Sequence, residues 1–242
     1  MTDADYLVGD LSDVESRHFW FRARRQLIVD MVRTHFPRAT RAIDVGCGTG
    51  FVLDGLREAF AECRTVGCDQ HAPSLAVARR RGVAAVRACA DPLPFGACFD
   101  VALVLDVLEH IDDDVRALTS IGSVLRAGGG LVITVPQHRW LWSEVDVFSC
   151  HRRGYTRRML ERTVRTAGFR IERVTSIFTA TLPLMLLSRL RQRKTFDVNR
   201  EFRIPAPLNA MLGAATEMEW KAVRAGLRLP VGGSLLMVAR RG

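Results

Sequence analysis

Three glycines close the run Ala42-Ile-Asp-Val-Gly-Cys-Gly-Thr-Gly50. Glycines at 46, 48 and 50 let the backbone turn sharply and come close to a ligand, because no Cβ stands in the way. A dinucleotide fingerprint needs its third glycine at position 51, where phenylalanine stands. Asp44, just before the loop, is awkward beside a pyrophosphate but suits a cation. The loop therefore fits a zwitterionic, positively charged ligand. Three more acids follow: Asp69, Asp91 in Asp91-Pro-Leu-Pro-Phe95, and Asp106 in Asp106-Val-Leu-Glu-His110. A carboxylate placed like Asp69 can hold both ribose hydroxyls. One beside an adenine ring, as Asp91 could be, can accept from the N6 amino group. Singly these are weak signals, since an acid after a strand more often caps a helix. Their order along the chain carries the reading.

The elements that must position these residues can be traced from hydrophobic period. Leu27, Ile28, Met31 and Val32 recur at helical spacing and predict a helix over 14–36, ended by Pro37. Strands are expected at 41–45, 65–68, 83–87, 100–105 and 131–135, with helices at 51–60, 73–81 and 113–125 between them. The run at 100–105 is almost unbroken apolar sequence, as suits a parallel strand covered on both faces. Thr156 is a plausible N-cap for a helix over 156–167, and strands follow at 169–177 and 233–240. Strand and helix alternate with short connections, which predicts a doubly wound α/β sheet. Its ligands bind beyond the carboxyl ends of the strands. The acids and the glycine loop all fall at those ends.

With these residues in order, the chain resembles the class I S-adenosylmethionine-dependent methyltransferases, in the group with small-molecule and lipid-like substrates that includes the ubiquinone-pathway enzymes. The matching segments are Asp44-Val-Gly-Cys-Gly-Thr-Gly50, Asp69, Asp91-Pro-Leu-Pro-Phe95, Asp106-Val-Leu-Glu-His-Ile111 and Leu125-Arg-Ala-Gly-Gly-Gly-Leu-Val-Ile-Thr-Val-Pro136. The resemblance implies a Rossmann-like, seven-stranded, mainly parallel sheet in a single methyltransferase domain over 1–242. It implies a helical cover at 1–39, a cofactor-binding core at 40–178, a helical insertion at 179–232 and a last strand at 233–242. It implies S-adenosyl-L-methionine as cofactor and S-adenosyl-L-homocysteine as product. Gly46, Gly48 and Gly50 would hold the methionine part, with Asp44 near it, Asp69 on the ribose and Asp91 at the adenine. Cys47, Gln70, Pro92, Leu93, Asp106, Val107 and His110 complete the implied contacts. Trp20 and Arg24, in the aromatic and basic run Glu15 to Arg25, could cover the cofactor and pair with its carboxylate, or could simply pack this helix on the sheet.

Methyl transfer needs alignment, exclusion of water and, for a hydroxyl or amine, a group to take the proton. Histidine suits that task near neutral pH. His151 is the first candidate and His138 the second, both in the segment expected to cover the site. Tyr155 is a candidate substrate contact, with packing against the following helix as the alternative. The triplet Asp112-Asp113-Asp114 points in three directions and reads as a helix N-terminus. No metal site is expected.

Charge divides the chain. It has 35 Lys+Arg and 26 Asp+Glu, for a net +9. Residues 1–136 carry 15 basic and 18 acidic side chains, net −3; residues 137–242 carry 20 and 8, net +12. The cofactor half is thus slightly acidic, and the excess positive charge lies on the substrate side. That points to an anionic substrate, an acidic partner or a lipid surface. Nucleic acid is the less favoured partner, since no Asn-Pro-Pro-Tyr-type motif follows the fourth strand. Leucines at 182–187, the basic run Arg189 to Lys194 and apolar positions from Leu208 to Val223 make the insertion amphipathic. It reads as a lid on an apolar substrate, as a homodimer interface, or as a surface lying on anionic lipid. The acidic start Met1 to Asp13 lacks a secretory pattern, and no run reaches the roughly 20 residues of a membrane span. Six cysteines without CxxC spacing suit a reducing compartment. A cytoplasmic protein, peripheral at the inner membrane surface if the lipid reading holds, is expected. The leading function is methyl transfer to an O, N or C atom of a small molecule. The alternatives are an RNA- or macromolecule-modifying methyltransferase and a cofactor-binding protein without turnover.

Overall fold

A computed structural model describes residues 13–142, 147, 149–190 and 204–242. Seven strands form one sheet: β1 (Arg41–Val45), β2 (Arg64–Asp69), β3 (Ala84–Arg87), β4 (Phe99–Leu105), β5 (Leu125–Pro136), β6 (Phe169–Ile177) and β7 (Ser234–Arg241). Their order is β3-β2-β1-β4-β5-β7-β6, and only β7 runs antiparallel to its neighbours. Helices α1 (Phe19–His35), α2 (Phe51–Ala59), α3 (Ala72–Arg80), α4 (Asp114–Ser123) and α5 (Arg157–Thr166) flank it. Two more, α6 (Leu182–Leu190) and α7 (Ala206–Arg224), lie between β6 and β7.

Alternate residues of each strand feed two separate cores. Leu103, Val132 and Leu236 face α1, α2 and α7, packing with Ile28, Leu53 and Val223. Val104, Ile133 and Met237 face α4 and α5, packing with Leu118, Ile121 and Leu160. Residues 101–104 are completely buried, which explains why Val101 to Leu105 is apolar at every position rather than at every second one.

The chain departs from the sequence expectation in two elements. A helical segment at 13–17 and α1 are separate, because His18 adopts an extended backbone (φ −77°, ψ 131°) and its Nδ1 accepts from the Trp20 N–H at 3.2 Å. The start of β5 was expected to be a glycine turn, but the strand already begins at Leu125. An irregularity between Phe99 and Val101 absorbs the extra length, so Gly130 still pairs opposite Val101. The basic run Arg191 to Lys194 and the acidic N-terminus through residue 12 lie outside the described residues, as do the side chains of residues 188–190.

Strand order reverses between β1 and β4. The crevice at that switch point opens beyond Val45 and Leu105, and ligands of open α/β sheets bind there.

Candidate active site

The glycine loop leaves β1 in left-handed backbone geometry. Gly46 has φ +77°, and a Cβ there would come within 2.4 Å of Val107 Cγ2, so the loop and the turn after β4 approach as closely as backbone allows. Gly48 has φ +53°, and a Cβ there would meet nothing within 4 Å. The first glycine is required by packing; the second faces open space. Asp69, the last residue of β2, fixes the loop: one carboxylate oxygen accepts from the Gly48 N–H at 2.9 Å, the other from the His71 N–H at 2.8 Å. Each oxygen keeps a further lone pair for hydroxyl donors.

Asp44 lies under the loop, 2% exposed, and its Oδ1 has no hydrogen-bond partner among the described residues. Burial pushes its carboxyl up to about 7, with Arg24 opposing and Asp69 adding to the shift. A buried carboxylate beside a second acid is a site awaiting a cation. Arg24 supplies part of that charge. Its guanidinium pairs with Asp106 at 2.7 Å and lies 5.1 Å over the Trp20 ring. Trp20 in turn stacks on Phe178, just past β6, at 5.8 Å. The start of α1 therefore packs against the residues that follow β4 and β6.

Asp106 is held at φ +54°, an unusual backbone for a residue with a side chain. Its carboxylate accepts from Thr134 Oγ1 at 3.1 Å while pairing with Arg24, which over-determines the conformation. His138 (φ +67°), Cys150 (φ +54°) and Phe178 (φ +62°) share this geometry in the segments that follow β5 and β6 and precede His151. Unusual backbone thus gathers where the sheet presents its loops.

Glu15, Thr49 and Arg81 form a buried link that sequence reasoning did not weigh. The Thr49 hydroxyl, inside the glycine loop, donates to Glu15 at 2.6 Å, and Arg81 reaches the same carboxylate at 2.9 Å. Burial raises the Glu15 carboxyl while Thr49 and Arg81 oppose the shift. Nothing in residue type alone links positions 15, 49 and 81; the link exists only once the fold is formed.

On the other side of the switch point, the structure brings His110 and His151 together. Their rings are 4.7 Å apart, with Trp142 edge-on to His151 at 6.3 Å. The fully buried Glu109 lies behind them, Oε1 at 4.0 Å from His151 Nε2. Desolvation and the neighbouring His151 lower the His110 imidazole. Glu109 was passed over in the sequence; its signal is an acid four residues past an apolar strand, immediately before a histidine. His138 lies outside this cluster and stacks on Trp140 at 4.9 Å.

One expected contact is corrected. Tyr155 is 1% exposed, its ring belongs to the core under α4 and α5, and its hydroxyl donates to Asp114 at 2.7 Å. It braces the loop from beneath and does not face a substrate. Leu93 likewise sends its side chain into the core. Cys47 is buried, and burial and Asp44 raise its thiol. Gln70 and Pro92 are exposed near the loop ends, and Asp91 is paired with Arg116 at 2.5 Å. Asp113 caps α4 by accepting from the Arg116 N–H at 2.9 Å. The acidic triplet is therefore a helix start.

The open face at Gly48, the orphaned oxygen of Asp44 and the anchored carboxylate of Asp69 fit a nucleoside with a cationic amino-acid arm. Residues 43–133 match the family model described as Methyltransferase domain. A human protein named Probable tRNA methyltransferase 9B is 35% identical over 96 residues, 38% of this chain and 20% of that protein. A Mycobacterium tuberculosis protein named Probable S-adenosylmethionine-dependent methyltransferase is 28% identical over 129 residues, 52% of this chain and 46% of the relative. The chain thus spans less than half the length of these curated relatives. The cyclase SpnF has the same fold, with TM-score 0.60 at 23% identity over 92% of this chain and 83% of its own.

Proposed function

We propose that the chain, whose residues 43–133 match the methyltransferase-domain model, is a class I S-adenosylmethionine-dependent methyltransferase that transfers a methyl group to an O, N or C atom of a small molecule. The cofactor, when bound, supplies a methyl group activated on a sulfonium that departs as a neutral thioether. The protein's own residues bind, align and exclude water. Asp69 is proposed to hold the ribose hydroxyls, Asp91 the adenine edge, and the loop from Gly46 to Gly50 the methionine arm. Asp44 and Arg24 supply opposite charges for the amino and carboxylate ends of that arm. Trp20 covers it from α1, and His110 and His151 stand on the acceptor side, where a hydroxyl or amine must lose its proton.

The observation that carries this reading is the juxtaposition of Gly48, Asp44 and Asp69 at one crevice. Calorimetry with S-adenosylmethionine tests it. Binding is expected in the wild type and should weaken at least tenfold in Asp69→Ala; equal affinity in the two proteins would remove the ribose role. Turnover across a panel of acceptors then separates an enzyme from a binding protein. The question is open on fold grounds alone, because a cyclase shares the fold.

The insertion is proposed to act as a lid. Its helix α6 packs near residues 139–141, beyond the end of β5, and leaves Leu184, Leu186 and Leu187 partly exposed. A homodimer contact and an anionic lipid surface are the competing uses of the same side chains. No helix among the described residues is long and apolar enough to cross a membrane. The similarity to a protein named as a tRNA methyltransferase keeps one macromolecular reading in play. A steep fall of RNA affinity with salt would support it, and salt-independent, weak binding would favour the small molecule.

A further inference from the structure

We infer that Glu109, His110 and His151 hold a divalent transition-metal ion on the acceptor side of the crevice. One ligand atom from each lies within 4.8 Å of the others. Ligands around one such ion stand about 3.4 Å apart, given metal–ligand bonds of about 2.1 Å. Closing from the observed spacing needs only small side-chain rotations, and His110 is exposed and able to make them. Two imidazoles and one carboxylate are a donor set suited to zinc and its first-row neighbours. Three protein ligands leave coordination positions open, the pattern of sites that bind a reactant and not of closed structural sites.

The surroundings fix the cluster. Glu109 and His110 share a 3-10 turn (Leu108–His110) at the end of β4. The Glu109 carbonyl accepts from the Arg152 N–H at 2.8 Å, which ties the His151 segment to that turn. The side chains of Arg152 and Arg153 are turned onto Asp112 and Asp114. An ion here would take an acceptor oxygen at an open position and favour its deprotonated form, the proton passing to solvent. The site thereby narrows the acceptor to a hydroxyl compound and assigns His151 to the ion, not to direct proton abstraction. That consequence rests on the methyltransferase reading; the binding of the ion does not.

The test uses the full chain, stripped by a chelator and titrated with Zn2+ and Co2+. One equivalent should bind, Co2+ should give visible ligand-field bands, and tryptophan fluorescence should fall because Trp142 lies 6.3 Å from the His151 ring. Glu109→Gln keeps the shape of a fully buried side chain, and His110→Ala alters an exposed one. Each should weaken binding by at least about tenfold. Absence of saturable binding below millimolar metal, or wild-type affinity in both variants, overturns the inference. S-adenosylmethionine calorimetry on the stripped protein separates the two proposals. Cofactor binding without metal binding removes the ion alone; loss of cofactor binding in the folded wild type removes the methyltransferase reading.

Discussion

Asp44 is the residue whose chemistry depends most on its surroundings. Its carboxyl is raised from 3.8 to about 7 by burial. A raised carboxyl contributes stability in its neutral form, fully present below about 3.8 and lost as pH climbs through 7. Cofactor-free wild type should therefore lose melting temperature relative to Asp44→Asn between about pH 4 and 7, and parallel melting curves would refute the assignment. Affinity for the cationic cofactor should run the other way, rising over the same range in wild type and staying flat in Asp44→Asn. Gly46 gives a second expectation. Gly46→Ala places a methyl group 2.4 Å from Val107 at a positive φ, and should cost about 1–3 kcal/mol with loss of cofactor affinity. Val107→Ala in the same chain should restore the steric part, measured by a double-mutant cycle in denaturant.

Among the elements, the start of α1 and the segment before it depend on the glycine loop for their position. Arg81→Ala leaves Glu15 buried beside Thr49 without its cation, which should loosen residues 13–17. Limited proteolysis before His18 should accelerate, and cofactor affinity should drop, while the sheet melts nearly as before. β4 gives the opposite case. Leu103 is fully buried between helices, so Leu103→Ala should cost about 2–5 kcal/mol at constant m value in urea unfolding. These elements also show what could be read in advance. The apolar run of β4, the Thr156 cap and the glycine loop carry their conformation in local residue types. The break at His18 and the early start of β5 do not, because each is settled by a partner far along the chain. His18 is fixed with Asn209, whose side chain accepts from the Phe19 N–H at 2.9 Å. The placement of Asp69 and Asp106 at strand ends was legible because the apolar runs before them fix where those strands stop. The Glu109 cluster was not, because it needs residue 151 brought back onto residue 109.

At the scale of the molecule, charge and apolar surface are segregated. The slightly acidic half, residues 1–136, carries the glycine loop and the strand-end acids, and the basic half carries the exposed Leu184, Leu186 and Leu187. If α6 is a lid, Leu184→Ser with Leu187→Ser should raise KM for the acceptor severalfold and leave cofactor affinity unchanged. Sedimentation and vesicle flotation of the same variant then report on the dimer and lipid uses. The order of the sheet carries one more consequence, for synthesis. Among the described strands β6 pairs with β7 alone, and β7 is also the partner that covers the far edge of β5. Residues 234–241 are translated after every other described strand. While the nascent chain is still tethered to the ribosome, two unsatisfied strand edges must stay apart for the roughly 60 codons that separate β6 from β7. α6 and α7 emerge during that interval, so the same helices proposed to cover a substrate are also the segment available to shield those edges until the last strand arrives.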